Sequence, residues 1–268
     1  MRGYFTLTNG RSAPLTVSAA RRSTQSFYVW MSATCALLAF GGFAPTYWLQ
    51  LAPRTFVGSP LLHLHAILFS AWTLFFVAQA LLAARGKLDR HRARGLLGVS
   101  LATAMVLVAV AAATEVLKDR LAAGLGDAAR AFFIVPVSLM VLFGGFVSAA
   151  LANVKRPEVH KRLMLLATIS IIPPAIARLS FAASVGIAPG LRPGLGPLRT
   201  AESVAGSGLI ADALVVIGMI YDWRTRGRPH AAYLVGGVVL LAVQILRVPM
   251  STTQSWYAVA DFLAHFSG

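Results

Sequence analysis

Apolar residues in this chain come in long runs rather than in short alternating segments. Stretches at 28–50, 61–84, 93–115, 129–152, 161–183, 203–222 and 232–250 are nearly unbroken in aliphatic and aromatic side chains, with clusters of Arg, Lys, Gly and Pro between them. Each approaches the roughly 20 residues that a helix needs to cross the hydrocarbon layer of a bilayer. In hydrocarbon every backbone polar group must find its partner inside its own segment, so runs of this length read as helices. The pattern predicts an all-α, polytopic transmembrane helix bundle of about seven spans. The sixth run is the weakest of the set, because it carries Asp212 together with Gly206 and Gly208 near its start. Pro173 and Pro174 fall inside the fifth run and predict a kink there.

The remaining segments are short. Residues 1–26 are basic, free of acidic groups and rich in Ser and Thr, and are predicted to be a disordered cytoplasmic tail. The transmembrane domain then occupies 27–252, and 253–268 is expected to be a short external tail. GIAPGLRPGLGPL, ending at Leu198, is dense in Gly and Pro and is expected to be an irregular external loop.

Composition sharpens this picture. With 57% hydrophobic and 12% charged residues and a mean hydropathy of +0.71, the chain lies outside the soluble globular range. The single cysteine, Cys35, excludes an intrachain disulfide and a cysteine-based metal cluster. The formal charge of +15 suggests nucleic acid until the basic residues are located. They sit in short connections, sixteen of them on the side of the N-terminus and eight on the other. That imbalance orients a multi-pass protein with its N-terminus cytoplasmic and its C-terminus external. The partners it implies are the bilayer and, at the cytoplasmic loops, anionic lipid headgroups. Nucleic acid is not among them.

Candidate chemistry lies in the polar residues of the spans. A histidine in hydrocarbon needs a partner, a wet cavity or a cofactor. His63 and His65 stand about 200° apart on one helix. Steps of seven from His65 reach Trp72 and Gln79, whereas the same steps from His63 reach Ser70 and Val77. An amide such as Gln79 avoids lipid, so the His65 stripe is expected to face the bundle interior. His65, Arg178, Asp212, Gln244 and Arg247 fall in one outer layer, and together they predict an outward-facing polar pocket. One aspartate cannot neutralise two arginines, so such a pocket favours an anionic guest: a carboxylate, a phosphate or a haem propionate. The same residues also fit a structural ion pair of Asp212 with Arg247 or Arg178. Glu115, at the outer end of the third run, is expected to be solvated.

The string LHLHAILFSAWTLFFVAQALLAARGKLDRHRARGLLG, with HKRLMLLATISIIPPAIARL further on, resembles uncharacterised bacterial multi-spanning membrane proteins of a domain of unknown function. The likeness runs from about 60 to 180 and rests on the HxH, HRxxG-like and HKRLM motifs. It implies the inner membrane of a bacterium as the expected setting. The pattern is also similar, more distantly, to transmembrane b-type cytochromes. That second resemblance implies haem b held by His91 and His160 at the inner ends of the third and fifth spans, and an unidentified redox partner. At the outer end the fourth span offers only Met140 opposite His63 and His65, so a second haem with two histidine ligands is not expected. His91 and His160, flanked by Arg and Lys, equally suit headgroup contacts. Nucleotide-binding, zinc-protease and serine-nucleophile motifs are missing from the sequence. The chain is therefore expected to handle a haem or electrons, to bind or transport a small anion, or to serve membrane assembly without chemistry of its own.

Overall fold

The computed structural model describes residues 13–186 and 199–266. Seven helical segments are long and apolar enough to cross a membrane: Ser26–Leu51, Pro60–Ala84, Leu88–Ala122, Gly126–Ala152, Pro157–Ser184, Ala205–Arg226 and Ala231–Met250. Among the described residues there is no strand. Large aliphatic side chains point outward, with Leu37 75%, Val141 69% and Val238 67% exposed. A water-soluble surface does not carry apolar side chains so densely, and a lipid-facing one does. The protein is an integral membrane protein, an all-α bundle of seven spans.

Local chemistry explains the punctuation. Helix α1 (Ala13–Phe43) passes through a π-helical turn at Ala44–Trp48 into α2 (Leu49–Leu51), and Pro45, which has no N–H to donate, sits where the turn widens. Ser59 caps α3 (Pro60–Ala84) by accepting from the Leu62 N–H at 3.3 Å, with Pro60 in the first turn. Gly86 at φ 71° turns the chain into α4 (Leu88–Ala122). Next come α5 (Gly126–Ala152) and α6 (Pro157–Ser170). The fifth span breaks at Ile171 and Ile172, where Pro173 and Pro174 restart it as α7 (Pro173–Val185). The predicted kink is a full interruption. Last are α8 (Ala205–Arg226), α9 (Ala231–Met250), capped by His230, and α10 (Gln254–Phe266).

Three expectations about the ends change. Helix α1 begins at Ala13, inside the segment predicted to be disordered, while residues 1–12 lie outside the described residues. Most of the tail expected at 253–268 forms α10, whose Ala260 and Ala264 pack on Leu117, Ala129 and Phe133. An Arg130–Asp261 ion pair at 2.8 Å and a Trp256 Nε1 bond to the Arg130 carbonyl hold it there. At 13 residues it is too short to span. Helix α4 continues to Ala122, and Glu115 accepts a hydrogen bond from Ser59 Oγ at 2.8 Å instead of standing free in solvent. The loop expected to be irregular lies, from 187 to 198, outside the described residues.

Short connections make successive spans antiparallel. One end of the bundle, here called proximal, therefore gathers the start of the first span and the 84–88, 152–157 and 226–231 connections. The other, distal end gathers 51–60, 122–126, the end of α7, the start of α8 and α10. The core between them centres on Trp72, Met105, Phe143, Leu165, Leu166 and Tyr233. Trp72 Nε1 donates to Thr168 Oγ1 at 3.3 Å, which joins α3 to α6.

At the proximal end Arg162 and Asp222 meet, each with its side chain 1% exposed. Arg162 Nε donates to Asp222 Oδ2 at 2.8 Å and a second guanidinium nitrogen bonds Oδ1. Glu158 reaches the same guanidinium at 2.8 Å and also binds Lys161 and Arg226. The His230 N–H donates to Asp222 Oδ2 at 3.1 Å, so the cluster ties α6 to α8 and the start of α9. Arg162 is thus a buried structural cation.

Close backbone approach fixes α1 against α7. A Cβ built on Gly42 would strike the Ala175 carbonyl, whereas one on Gly41 would meet nothing within 4 Å. Backbone cannot swing aside as a side-chain tip can. Gly42→Ala should lower stability by about 1–3 kcal/mol through overpacking, read as the midpoint of unfolding by SDS in mixed micelles, and Gly41→Ala should not. Equal midpoints would show that α1 is not held by this contact.

Candidate functional site

Three helical stripes converge at the distal end. On α4 the residues Ala109, Ala112, Ala113, Val116, Leu117 and Arg120 follow one another at helical spacing on one face. On α5 the corresponding stripe includes Ala129, Phe132, Phe133, Pro136, Leu139 and Met140, and on α7 it is Pro174, Ala177, Arg178 and Phe181. Between them lies a cavity of about 330 Å³, completed by His65 and Phe69 of α3, Ser207 of α8 and Arg247 of α9. The break at Ile171 and Ile172 sets the course of α7, whose own stripe carries Arg178 to this cavity. Ile171, Pro173 and Pro174 themselves form part of the wall.

Charge in the cavity has one sign. Arg120, Arg178, Arg199 and Arg247 all line it, and its described lining contains neither Asp nor Glu. Three of these guanidiniums lie over aromatic rings: Arg120 over Phe132 at 4.8 Å, Arg178 over Phe43 at 5.6 Å and Arg199 over Phe181 at 5.3 Å. A ring face is a weak counter-charge that does not engage the in-plane N–H groups of Arg178 and Arg199. Arg247 is 3% exposed and its Nε has no hydrogen-bond partner among the described residues. His65 stacks on Phe69 with ring centres 4.2 Å apart, and its buried Nδ1 is likewise unpartnered there. Polar atoms left open on the wall of a cavity are donors or acceptors in waiting.

A second cavity of about 150 Å³ adjoins the first. His65, Phe69, Phe43, Leu62, Ile171 and Arg178 line both. The smaller chamber adds Tyr47, Trp48, Phe56 and the hydroxyls of Thr46, Ser70, Thr73 and Thr168.

Of the five residues expected to form a pocket, the structure brings three together. His65, Arg178 and Arg247 face the larger cavity, whereas Asp212 and Gln244 stand outside its lining. Gln244 Nε2 donates to Asp212 Oδ2 at 2.9 Å, and the Gln244 side chain rests against Gly208, where a Cβ would come within 2.7 Å of its Oε1. The alternative of an Asp212 ion pair with Arg247 or Arg178 does not form within 4 Å among the described residues. Asp212 instead holds Gln244. The two histidines separate as their helical positions imply: Trp72 and Gln79, on the His65 stripe, are buried, while His63 Nδ1 hydrogen-bonds the Tyr47 hydroxyl at 3.0 Å. His63 thus has a protein partner in Tyr47.

Arg120 and Arg199 escape a reading of the sequence because they follow or precede apolar runs and look like connections. For Arg120 the signal was present, since it completes the 109–112–116–120 spacing. Arg199 offers no comparable pattern.

His91 and His160, at the starts of α4 and α6, come together at the proximal end with ring centres 6.4 Å apart and planes at 88°. Two imidazoles bonded at about 2 Å to one metal ion would have centres roughly 6 Å apart. His160 Nδ1 lies 2.9 Å from the Ala150 carbonyl, and His91 Nδ1 is buried without a partner among the described residues. The spacing fits shared ligation, but neither cavity has these rings in its wall, so the room a porphyrin needs is not found in either. Among the described residues no three His, Cys, Asp or Glu side chains gather around a point fit for a metal ion.

The fold and site define a seven-span integral membrane protein with an arginine-lined distal cavity. No family profile matches the chain, and no curated protein or solved structure does.

Proposed function

We propose that the protein binds an anionic ligand in the distal cavity, as a membrane binding or transport protein. The observation that carries this is the gathering of Arg178, Arg199 and Arg247, with Arg120, on a wall without a described carboxylate. Like charges brought together in low dielectric repel, and an arrangement of this kind is tolerated when a counter-charge completes it. Arginine suits carboxylate and phosphate oxygens because its planar donors meet them in pairs. Calorimetric titration of inorganic phosphate and acetate into the purified protein tests the reading: saturable binding weakened by added salt supports it, and the lack of any binding overturns it.

In the bacterial inner membrane proposed for the protein, the sixteen-to-eight distribution of basic residues supports a cytoplasmic proximal end, so that the distal cavity lies on the outer side. A reporter fused after Arg226 should then register cytoplasm, and one fused after Gly268 the outside. The reverse result would turn the cavity inward.

We propose, second, that His91 and His160 share a haem iron, a reading favoured by their ring spacing of 6.4 Å and by the Ala150 carbonyl that orients His160. Protein purified from haem-sufficient cells should show a Soret band lost in both His91→Ala and His160→Ala. A colourless preparation would refute it.

A further inference from the structure

Charge in the cavity is confined to its distal part. Counted from the distal ends of their helices at about 1.5 Å per residue, Arg120 lies about 3 Å in, Arg247 about 5 Å, His65 about 8 Å and Arg178 about 10 Å. By the same measure Ala109 and Met140 lie about 20 Å in. Between these levels the wall includes Ala112, Ala113, Val135, Pro136 and Leu139, and its described lining there carries no polar side chain. A small hydrated anion held among the arginines would leave that lower slot empty, and its lining would forfeit the dispersion contacts that a filled slot supplies.

Resting on the reading of this cavity as an anion site, we infer that its ligand is a single-chain amphiphilic anion: a carboxylate or phosphate head carrying one alkyl or prenyl chain. The head lies among Arg178, Arg199 and Arg247, and the chain runs down the alanine face of α4 past Leu139 to Met140. Small side chains at 109, 112 and 113 keep the slot open, since any longer residue there would fill it. The volume of about 330 Å³ is near the lower end of ligand pockets, which run from about 300 to 1,000 Å³. One chain suits that space better than two. The adjoining 150 Å³ chamber is the poorer berth for a chain, because Thr46, Ser70, Thr73 and Thr168 put hydroxyls along it.

The test uses the full-length protein in nanodiscs of zwitterionic phosphatidylcholine, titrated calorimetrically with inorganic phosphate and with ethyl, butyl and hexyl phosphate. Affinity should rise with chain length, by up to about fourfold per methylene, the equivalent of about 0.8 kcal/mol per buried CH₂. Ala109→Leu combined with Ala112→Leu should flatten that rise, so that hexyl phosphate binds no more tightly than ethyl phosphate. A matched series in nanodiscs containing phosphatidic acid separates a free amphiphile from a membrane lipid. Hexyl phosphate should still bind there, and its complete exclusion would assign the slot to a two-chain lipid and overturn the single-chain inference. Equal affinity for all four phosphates in the wild-type protein would also overturn it while the anion reading stands. If none binds, inorganic phosphate included, the anion reading itself fails.

Discussion

Asp222→Ala should destabilise the protein by about 3–5 kcal/mol, the usual cost of stranding one partner of a buried ion pair. The side chains of Arg162 and Asp222 are each 1% exposed, so water cannot replace the lost carboxylate. Glu158 remains at 2.8 Å from the guanidinium, but its own side chain is 47% exposed and is shared with Lys161 and Arg226. The backbone N–H of His230 loses its acceptor in the same step, which loosens the start of α9. Arg162→Lys should not be benign, because an ammonium cannot reproduce the two parallel bonds to Asp222. Replacing both partners, as in Arg162→Met with Asp222→Leu, should cost less than Asp222→Ala alone. Unfolding by SDS in mixed micelles measures all of these. Strict additivity of Arg162→Met and Asp222→Leu, each also measured alone, would show that the pair contributes nothing as a pair.

That pair also shows what a reading of the sequence misses. Run length and the placement of Arg and Lys define seven spans, because backbone satisfaction in lipid leaves helices as the economical solution. The Pro173–Pro174 interruption and the inward face carrying Trp72 and Gln79 follow from equally local rules. Arg162 and Asp222, by contrast, stand 60 residues apart at the ends of two spans, where every charge looks like loop. Only packing of α6 against α8 reveals them. The distal cavity was half legible. Depth along the helix places His65, Arg178 and Arg247 in one layer, yet depth says nothing about which way around the bundle each residue points. Asp212 shares the layer and turns to Gln244 instead. Arg120 was hidden by the assumption that the third span ends near 115, when α4 carries its apolar stripe on to Ala122.

Removing a cavity arginine should have the largest effect on ligand binding. Arg178 lines both chambers, and Arg247 is 3% exposed with an Nε unpartnered among the described residues, so each is placed to donate directly to an anion. A hydrogen bond to a charged group contributes about 1.5–3 kcal/mol, which corresponds to roughly 10- to 100-fold in affinity. Arg178→Gln and Arg247→Gln should each weaken phosphate binding by that factor. Both changes remove a like charge from a wall whose described lining holds no carboxylate, so they should leave the ligand-free protein as stable as before or more so. Loss of binding with stability kept separates a ligand site from a structural one. Asp212→Asn should change binding little, because Asp212 bonds Gln244 rather than the ligand space.

The most direct measurement is the thermal unfolding midpoint of wild-type, Arg178→Gln and Arg247→Gln protein with and without phosphate. An anion site predicts that phosphate raises the wild-type midpoint, since a ligand that binds only the folded state stabilises it. Each variant should match or exceed the ligand-free wild type and lose that response. Variants that unfold earlier than wild type without ligand, and a wild type indifferent to phosphate, would instead make these arginines part of the scaffold.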